Sequence, residues 1–346
     1  MQRGSIFLII LSVLFLAGCN GCNKSNSRPK PDVSNIKVEV HLLRFDRDFT
    51  EFRQKDFVAH QNEMRAKYGD FYDFYVSQFV IGPRLAGDTA DRNQQAITDF
   101  VNDGYVHRLQ DSIEFYFKDT KDVEAELSQS LKYFKYYFPK ITIPQVVTVF
   151  SKFNTGAFTY GAETLGIGLD CYLGAQNADY DSAEIYQYVR RRMSKEYLPR
   201  NSMEVLYNLY FGKEEGERQT FINAMVDKGK KMYVLSMLLP DAPDSLLFVY
   251  TQPQLEWCQK SEKQIWQFFN DKDLLYKDDY MDQKRYLDEG PMSQGMPAEA
   301  PGNVGSWVGL QIVRKFMEQT DNKISLEDLV VKYDAGTIFK KSKYRP

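Results

Sequence analysis

Two short segments decide the fold class: Gln145-Val-Val-Thr-Val-Phe150 and Thr164-Leu-Gly-Ile-Gly-Leu-Asp170. Both are apolar and rich in β-branched residues, and the turn sequence Asn154-Thr-Gly156 lies between them, so they predict two or three adjacent strands. Apolar and polar residues also alternate over residues 36–42, which predicts an opening strand. Together these segments predict a small β-sheet.

Helical periodicity lies on both sides of the predicted strands. Apolar residues recur every three or four positions over residues 49–117, which predicts several short helices. Residues 122–138 place their apolar side chains on one helical face, and Pro139 ends that helix. From residue 181 onward the pattern is again helical, most clearly over residues 217–238, 251–270 and 304–319, and a capping box at Ser325 begins a last helix. The sequence therefore predicts a helix-rich single α+β domain around a small sheet.

The composition excludes several classes of protein. The chain has 346 residues, a formal net charge of -3 and 43% hydrophobic residues, so disorder and a disulfide-stapled scaffold are excluded. It contains no polybasic stripe, and we therefore expect no nucleic-acid partner. Aromatic residues make up 14% of the chain, which we interpret as an aromatic-rich core rather than a ligand groove.

The first residues predict export and a lipid anchor. Arg3 precedes an apolar run over residues 6–17, which is too short to span a bilayer but has the length of a secretion signal. The run ends in Leu16-Ala-Gly-Cys19, which resembles a bacterial lipobox, so we predict a signal peptide over residues 1–18 and acylation of Cys19. The membrane is then a partner of the chain through this lipid anchor.

Residues that carry metal or redox chemistry form no recognisable site. His41, His60 and His107 lack the i,i+4 spacing that places two ligands on one helix face, so a histidine-rich zinc helix is excluded. Cys171 and Cys258 form either a disulfide in an oxidising envelope or two buried free thiols. We predict no metal and no cofactor.

Motifs for nucleophilic or phosphate chemistry are incomplete. Gly305-Ser-Trp-Val-Gly309 lacks the glycine two residues before serine that a nucleophile elbow needs, and no histidine follows it. Gly166-Ile-Gly168 does not open a helix, so it is not a dinucleotide fingerprint. The acidic cluster at residues 271–282 has Tyr276 where a calcium loop requires glycine, and it is typical of a solvated face. These motifs predict no catalytic residue.

A series of ordered blocks carries a family resemblance. These blocks are Lys132-Tyr-Phe-Lys-Tyr-Tyr-Phe-Pro139, Gly166-Ile-Gly-Leu-Asp-Cys-Tyr-Leu-Gly174, Gly229-Lys-Lys-Met-Tyr233, Leu238-Leu-Pro-Asp241, Val304-Gly-Ser-Trp-Val-Gly-Leu-Gln-Ile-Val313 and Ser342-Lys-Tyr-Arg-Pro346. Together they resemble the gliding motility-associated lipoproteins of the GldB family over nearly the whole mature chain. The resemblance implies a Bacteroidetes cell envelope, a lipid anchor, envelope protein partners and a role that supports gliding and the linked secretion machinery.

Residues 19–32 predict an acylated, flexible tether, because they are rich in Asn, Ser, Lys and Pro and lack apolar periodicity. The tether contains Lys24, Arg28 and Lys30 but no acid before its last residue. Surface-exported lipoproteins of the Bacteroidetes resemble one another in carrying acidic residues just after the anchor, so a periplasm-facing body is favoured. We predict that residues 33–346 form this body.

The family is in turn similar to predicted zinc peptidases of gluzincin-like layout, in which a His-Glu-x-x-His helix precedes a Glu-Gly-Leu-Ala-x-Tyr helix. This similarity implies a degenerate zincin-like fold. In the second block Lys228 replaces the ligand glutamate, and residues 181–211, where the first block belongs, contain no histidine. Because zinc sites need neutral or anionic donors, we expect a pseudoenzyme without metal ligands.

The same similarity implies a vestigial peptide groove. In the peptidase layout an edge strand pairs with the substrate, and we assign this role to residues 165–169. The candidate groove residues are Gly166, Gly168, Asp170, Tyr172, Lys228, Gly229 and Tyr233. Purely structural roles are the alternative: the glycines relieve packing, Asp170 caps a turn and the lysines form a solvated face. Residues 290–302 form a loop long enough to flank a groove.

Three functions fit the sequence. The first is a non-catalytic, lipid-anchored envelope protein whose peptidase-like fold serves envelope machinery. The second is an envelope hydrolase that works through carboxylates, but 47 acidic residues offer many pairs and sequence selects none of them. The third is a glycan-binding lipoprotein of a nutrient-uptake system, which the absence of helical repeats disfavours.

Overall fold

The computed structural model describes residues 28–82, 90–213 and 218–346. Its strands are β1 (Leu42–Leu43), β2 (Gln145–Val149), β3 (Ala157–Tyr160) and β4 (Thr164–Gly168). The helices between β1 and β2 in the chain are α1 (Phe45–Thr50), α2 (Phe57–Tyr68), α3 (Asp70–Tyr75, continued by a π-helix, Val76–Ile81), α4 (Ala90–Asn102), α5 (Gly104–Tyr116) and α6 (Lys121–Tyr137). Those that follow are α7 (Asp179–Ser182), α8 (Gln187–Arg190), α9 (Leu198–Phe211), α10 (Phe221–Leu238), α11 (Asp244–Phe248), α12 (Gln252–Lys260), α13 (Glu262–Asp271), α14 (Tyr280–Leu287), α15 (Val304–Gln319), α16 (Leu326–Val331) and α17 (Ala335–Ser342).

The described elements form a helix-rich α+β domain around one small sheet, which confirms the predicted fold class. The strand order is β1-β2-β4-β3, with β1, β2 and β4 parallel and β3 antiparallel at one edge. The strands predicted at residues 145–150 and 164–170 are therefore confirmed as neighbours, and β3 is the third strand.

The prediction that residues 165–169 form an edge strand is wrong. β4 lies between β2 and β3, and Gly166 is opposite Val147 on one side and Phe158 on the other. The Phe158 ring covers Gly166 so closely that a Cβ there would lie 2.2 Å from a ring carbon. Gly166 therefore has the packing role that was the alternative, and β3 forms the edge of the sheet.

The opening strand is shorter than predicted, because only Leu42–Leu43 pairs with β2. Exposure does alternate before it, from exposed Lys37 to buried Val40. However, the backbone N–H groups of Val40 and Leu42 donate to side chains of α6, namely Ser128 Oγ at 2.9 Å and Glu124 Oε1 at 3.0 Å. Side chains of α6 thus accept the backbone hydrogen bonds that a neighbouring strand would otherwise accept.

Most of the predicted helices are present. α6 buries the predicted apolar face, and α10 and α15 correspond to the strongest periodic stretches. The stretch predicted over residues 251–270 is divided into α12 and α13 at Ser261. Ser325 caps α16 by accepting from the Asp328 N–H, but α17 follows, so α16 is not the last helix.

The core is aromatic. Among the described residues, the largest fully buried side chains are all tyrosines and phenylalanines. Four of them, Phe45, Phe49, Phe71 and Tyr75, contact one another beside the sheet. Cys171 and Cys258 are buried free thiols, so the structure selects the second of the two predicted alternatives.

Candidate functional site

Three neighbouring cavities share lining residues, and the second and third of them border α9. The largest of the three has a volume of about 970 Å³ and lies between α8, residues 248–250 and the loop that precedes α15. Tyr188, Glu289 and Asn303 line both this cavity and a second one of about 300 Å³. Arg192 and Glu204 in turn line both the second cavity and a third, of about 190 Å³, at the start of β3. We call these three neighbouring cavities the polar cleft, after the charged residues that line the second.

The floor of the second cavity is an ion-paired triad. Arg200 and Glu204 lie four residues apart on α9, so both point to the same side of the helix. Arg200 Nη1 donates to Glu204 Oε2, and Lys231 Nζ of α10 donates to Glu204 Oε1 at 2.5 Å. Pro199 stands in the first turn of α9, where its missing N–H costs no helical hydrogen bond, so the helix begins next to Arg200.

Burial and charge act in opposite directions on the triad. Burial alone would raise the pKa of Glu204, but the charges of Arg200 and Lys231 outweigh it and hold the pKa of Glu204 far below its usual value. Burial alone would lower the pKa of the Arg200 guanidinium, but the negative charges of Glu204 and Glu289 raise it. Glu204 is therefore a permanent carboxylate with two cationic partners.

A second layer of ion pairs surrounds the triad. Arg192 lies 3.1 Å from Glu289, whose other oxygen lies 3.8 Å from Arg200. Lys228 Nζ lies 3.2 Å from Asp288 at the end of α14. Cations and carboxylates thus alternate along the second cavity, which suits a polar ligand that exchanges hydrogen bonds with charged groups.

Only some of the predicted groove residues reach the polar cleft. Tyr172 lines the third cavity, where its hydroxyl accepts a hydrogen bond from Asn201 Nδ2 at 3.1 Å, and Lys228 lines the second. Gly229 instead packs against Gly309 where α10 crosses α15, and Tyr233 is buried in α10.

Three further predicted groove residues lie in or next to β4. Gly166 and Gly168 are buried in the strand, and Asp170 follows them with no exposed surface. The Asp170 carboxylate accepts hydrogen bonds from the backbone N–H groups of Ser151, at 3.0 Å, and Phe153, at 2.5 Å. Lys152 and Phe153 have left-handed φ angles of 54° and 61°, so Asp170 holds an unusual turn after β2.

Burial raises the pKa of Asp170 to about 6, although the hydrogen bonds from Phe153 and Ser151 act in the opposite direction. This value suits a group that exchanges protons near neutral pH. However, the carboxyl is enclosed by the fold and no part of it is exposed. Asp170 therefore holds the turn at residues 151–153, which precedes it in the chain, and not the next turn that the structural alternative assigned to it.

Sequence reasoning missed the centre of the cleft, which is Arg200, Glu204, Lys231 and Arg191. Two of them carry a local signal, because Arg200 and Glu204 have the i,i+4 spacing of a helical ion pair within residues 181–211. Arg191 and Lys231 have no such local signature, because the fold alone brings their segments to the same cleft.

The described part of the chain contains neither a cluster of metal ligands nor a helix that could span a membrane. Within residues 28–82, 90–213 and 218–346, no three His, Cys, Asp or Glu side chains are grouped as a metal site requires. None of the described helices has both the length and the apolar character needed to cross a bilayer. The predicted lipid attachment at Cys19 lies outside the described residues.

Fold and cleft together define a helix-rich α+β protein with a charge-paired cleft. Residues 26–346 match the family model described as gliding motility protein GldB, so the chain belongs to the GldB family and is a gliding motility-associated lipoprotein of the cell envelope. Searches of the curated proteins and of the solved structures found no significant match.

Proposed function

We propose that this chain is a lipid-anchored, non-catalytic envelope protein that supports gliding, or the linked secretion and envelope machinery, by holding a polypeptide partner in the polar cleft. Acylated Cys19 would supply the anchor, and the body would face the periplasm. The membership of the GldB family supports the setting, and the polar cleft supports the mode of action.

The single observation that carries the proposal is the pairing of Glu204 with both Arg200 and Lys231. A catalytic zinc site needs carboxylate or imidazole donors that are free to bind the ion. Here the carboxylate that lies on α9 is already occupied by two cations, and these would also repel Zn²⁺. In the gluzincin-like layout that the family resembles, α9 and α10 would correspond to the helices that hold the metal, and here they carry a salt-bridged triad.

The carboxylate-based hydrolase is less well supported. A general acid must carry a proton near neutral pH, but the pKa of Glu204 is held far below that range by Arg200 and Lys231 despite its burial. Asp170 has a pKa of about 6, raised by burial, but it has no exposed surface. Neither carboxyl group combines a suitable pKa with access to a substrate.

The edge of the sheet supports a polypeptide as the ligand. The Gly168 N–H donates to the Gly156 carbonyl at 3.0 Å. Gly156 and every second residue after it therefore direct their backbone N–H and carbonyl groups toward β4. Ala157 and Thr159 therefore direct their backbone groups away from β4, and the third cavity borders Ala157, whose carbonyl accepts a hydrogen bond from Thr155 Oγ1 at 3.0 Å. An extended peptide adds to such an edge through main-chain hydrogen bonds, and the cleft continues from there past the triad.

Photo-crosslinking in intact cells tests the proposal. A photoreactive phenylalanine analogue replaces Tyr186, which is 71% exposed and lines the largest cavity, or Phe115, a 79% exposed control on α5. We expect one envelope protein to be captured from position 186 and not from position 115. Equal capture from both positions, or none from position 186, would reject the polar cleft as the binding site.

A further inference from the structure

Arg191 is a cation without a carboxylate partner in the largest cavity. Its Nη1 donates to the Val249 carbonyl and to Gln254 Oε1, both at 2.9 Å. No described carboxylate lies within salt-bridge distance of Arg191, whereas Arg192 beside it is paired with Glu289. Neutral acceptors orient a guanidinium but do not cancel its charge, so Arg191 keeps a positive charge in the cavity.

The acceptors that hold Arg191 are themselves fixed. Gln254 belongs to the capping box of α12, in which its Oε1 also accepts from the Thr251 N–H at 2.9 Å. Val249 has a left-handed φ of 57° and ends α11, and its carbonyl accepts the hydrogen bond from Arg191. The guanidinium is therefore positioned before any ligand arrives, so less side-chain entropy is lost when a ligand binds.

The N-cap of α15 forms another part of the wall of this cavity. Asn303 is the N-cap of this 16-residue helix, but its side chain makes no capping hydrogen bond. Asn303 is 8% exposed and lines both the first and the second cavity, and its Oδ1 has no hydrogen-bond partner. A helix N-terminus attracts negative charge, and a buried amide oxygen without a partner favours a ligand that donates a hydrogen bond to it.

One dipeptide connects the two walls. Val249 accepts from Arg191, and the hydroxyl of the next residue, Tyr250, donates to the Gly302 carbonyl at 2.9 Å. Gly302 directly precedes Asn303. Arg191 and Gly302 are thus attached to adjacent residues of one segment, and both line the same cavity together with Asn303.

We propose that this end of the polar cleft binds a carboxylate of the peptide ligand, an inference that rests on the proposed function. The Arg191 guanidinium and the N-terminus of α15 would bind the carboxylate, and Asn303 Oδ1 would accept the ligand's neighbouring amide N–H. Phe248, Tyr186, Pro291 and Pro301 line the same cavity and offer apolar contact to the adjoining side chain. A chain terminus and an Asp or Glu side chain are the two possible sources of this carboxylate.

Three random hexapeptide libraries separate these sources: one with free carboxyl termini, one amidated, and one amidated with a fixed central Asp. Retention of each library on the purified protein is measured by mass spectrometry. We expect a carboxylate-bearing library to be retained about tenfold more strongly than the plain amidated one, because hydrogen bonds to a charged group are stronger than those between neutral groups. Retention of the free-terminus library indicates the chain end, and retention of the fixed-Asp library indicates the side chain.

Two variants and one control test the assigned residues. Arg191→Gln should remove the preference for carboxylates, and Asn303→Asp should weaken it by repulsion while keeping a residue that is favoured at an N-cap. Arg285→Gln removes a half-exposed arginine of α14 that does not line the polar cleft, and it should leave retention unchanged. Thermal unfolding of each variant shows whether it is folded.

Equal retention of amidated and carboxylate-bearing peptides would overturn the inference while leaving the proposed function intact. Failure of all three libraries to bind, or retention that survives both Arg191→Gln and Asn303→Asp, would also overturn it. The proposed function fails separately, if crosslinking from position 186 captures no envelope protein.

Discussion

Gly229 of α10 and Gly309 of α15 pack backbone against backbone where the two helices cross. A Cβ at Gly229 would lie 2.2 Å from the carbonyl carbon and oxygen of Gly309, and a Cβ at Gly309 would lie 2.0 Å from the Met225 carbonyl oxygen. Asn303, the N-cap of α15, lines the largest cavity, and Lys228 and Lys231 of α10 line the second. The close crossing therefore fixes the distance between two walls of the polar cleft.

The substitution Gly229→Ala should destabilise the protein. The added methyl group meets backbone atoms that cannot rotate away, and overpacking of this kind costs about 1–3 kcal/mol. The measurement is urea unfolding, with Gly104→Ala as the control, because a Cβ at Gly104 of α5 meets only the end of the Arg108 side chain at 3.9 Å. The control should be neutral or slightly stabilising, and equal stability of Gly229→Ala and wild type would refute the close crossing.

The substitution Glu204→Gln should destabilise the protein much more than removal of a surface carboxylate. It leaves two neighbouring cations, Arg200 and Lys231, without their shared anion, which costs about 3 kcal/mol for a largely buried pair. The matched change Glu256→Gln affects an exposed pair with Lys260 and should cost less than about 1 kcal/mol. Urea unfolding at pH 7 measures both, and similar losses would contradict the assigned triad.

Asp170 should make stability depend on pH near neutrality. Because burial raises its pKa to about 6 in the folded state, the native protein binds a proton that the unfolded chain has released. The associated stability is present at low pH and is lost as the pH rises through about 6. The stability difference between wild type and Asp170→Asn should therefore be larger at pH 5 than at pH 7 by about 1 kcal/mol. A difference that is independent of pH would show that the Asp170 carboxyl does not titrate in this range.

The beginning of the described chain is attached to the body near the polar cleft. Arg28 donates to Asp244 and to the carbonyls of Leu239 and Ala242, and Arg314 donates to the same Asp244 carboxylate at 2.9 and 3.0 Å. Burial alone would raise the pKa of Asp244, but the charges of Arg314 and Arg28 lower it. Residue 28 is therefore held at the start of α11, whose other end lines the largest cavity.

The substitution Asp244→Ala should release this attachment. Without the shared carboxylate two arginines repel each other, so hydrogen exchange over residues 30–40 should become faster. Asp241→Ala is the control, because its pair with Lys30 is exposed and contributes about 0–1 kcal/mol at most. Unchanged exchange in Asp244→Ala would mean that Arg28 is not held by this ion pair.

Local patterns in the sequence were sufficient to predict several of the elements. β2, β4 and α6 follow from runs of β-branched residues and from one apolar helical face. The loop at residues 290–302 lines the largest cavity, as its length and its proline and glycine content suggested. The order of the strands could not be predicted, because the pairing of β4 with both β2 and β3 depends on contacts between separate segments. A local sequence pattern does not show such contacts.

The site was harder to predict than the fold. Asp170 and Gly229 belong to recognisable blocks, but their role is to hold a turn and a helix crossing. The charged residues of the cleft come from α9, α10 and the segments before and after them, and only tertiary packing brings them together. The family resemblance pointed to segments that lie on α9 and α10, but it did not predict the ion pairs between these helices.

The most direct test of the central claim is to incubate the purified protein with peptides and one equivalent of Zn²⁺, and then to measure bound metal and peptide integrity by mass spectrometry. The account predicts that peptides are retained in the polar cleft and recovered intact, with no stoichiometric zinc on the chain. One tightly bound zinc ion per chain together with cleaved peptides would contradict it.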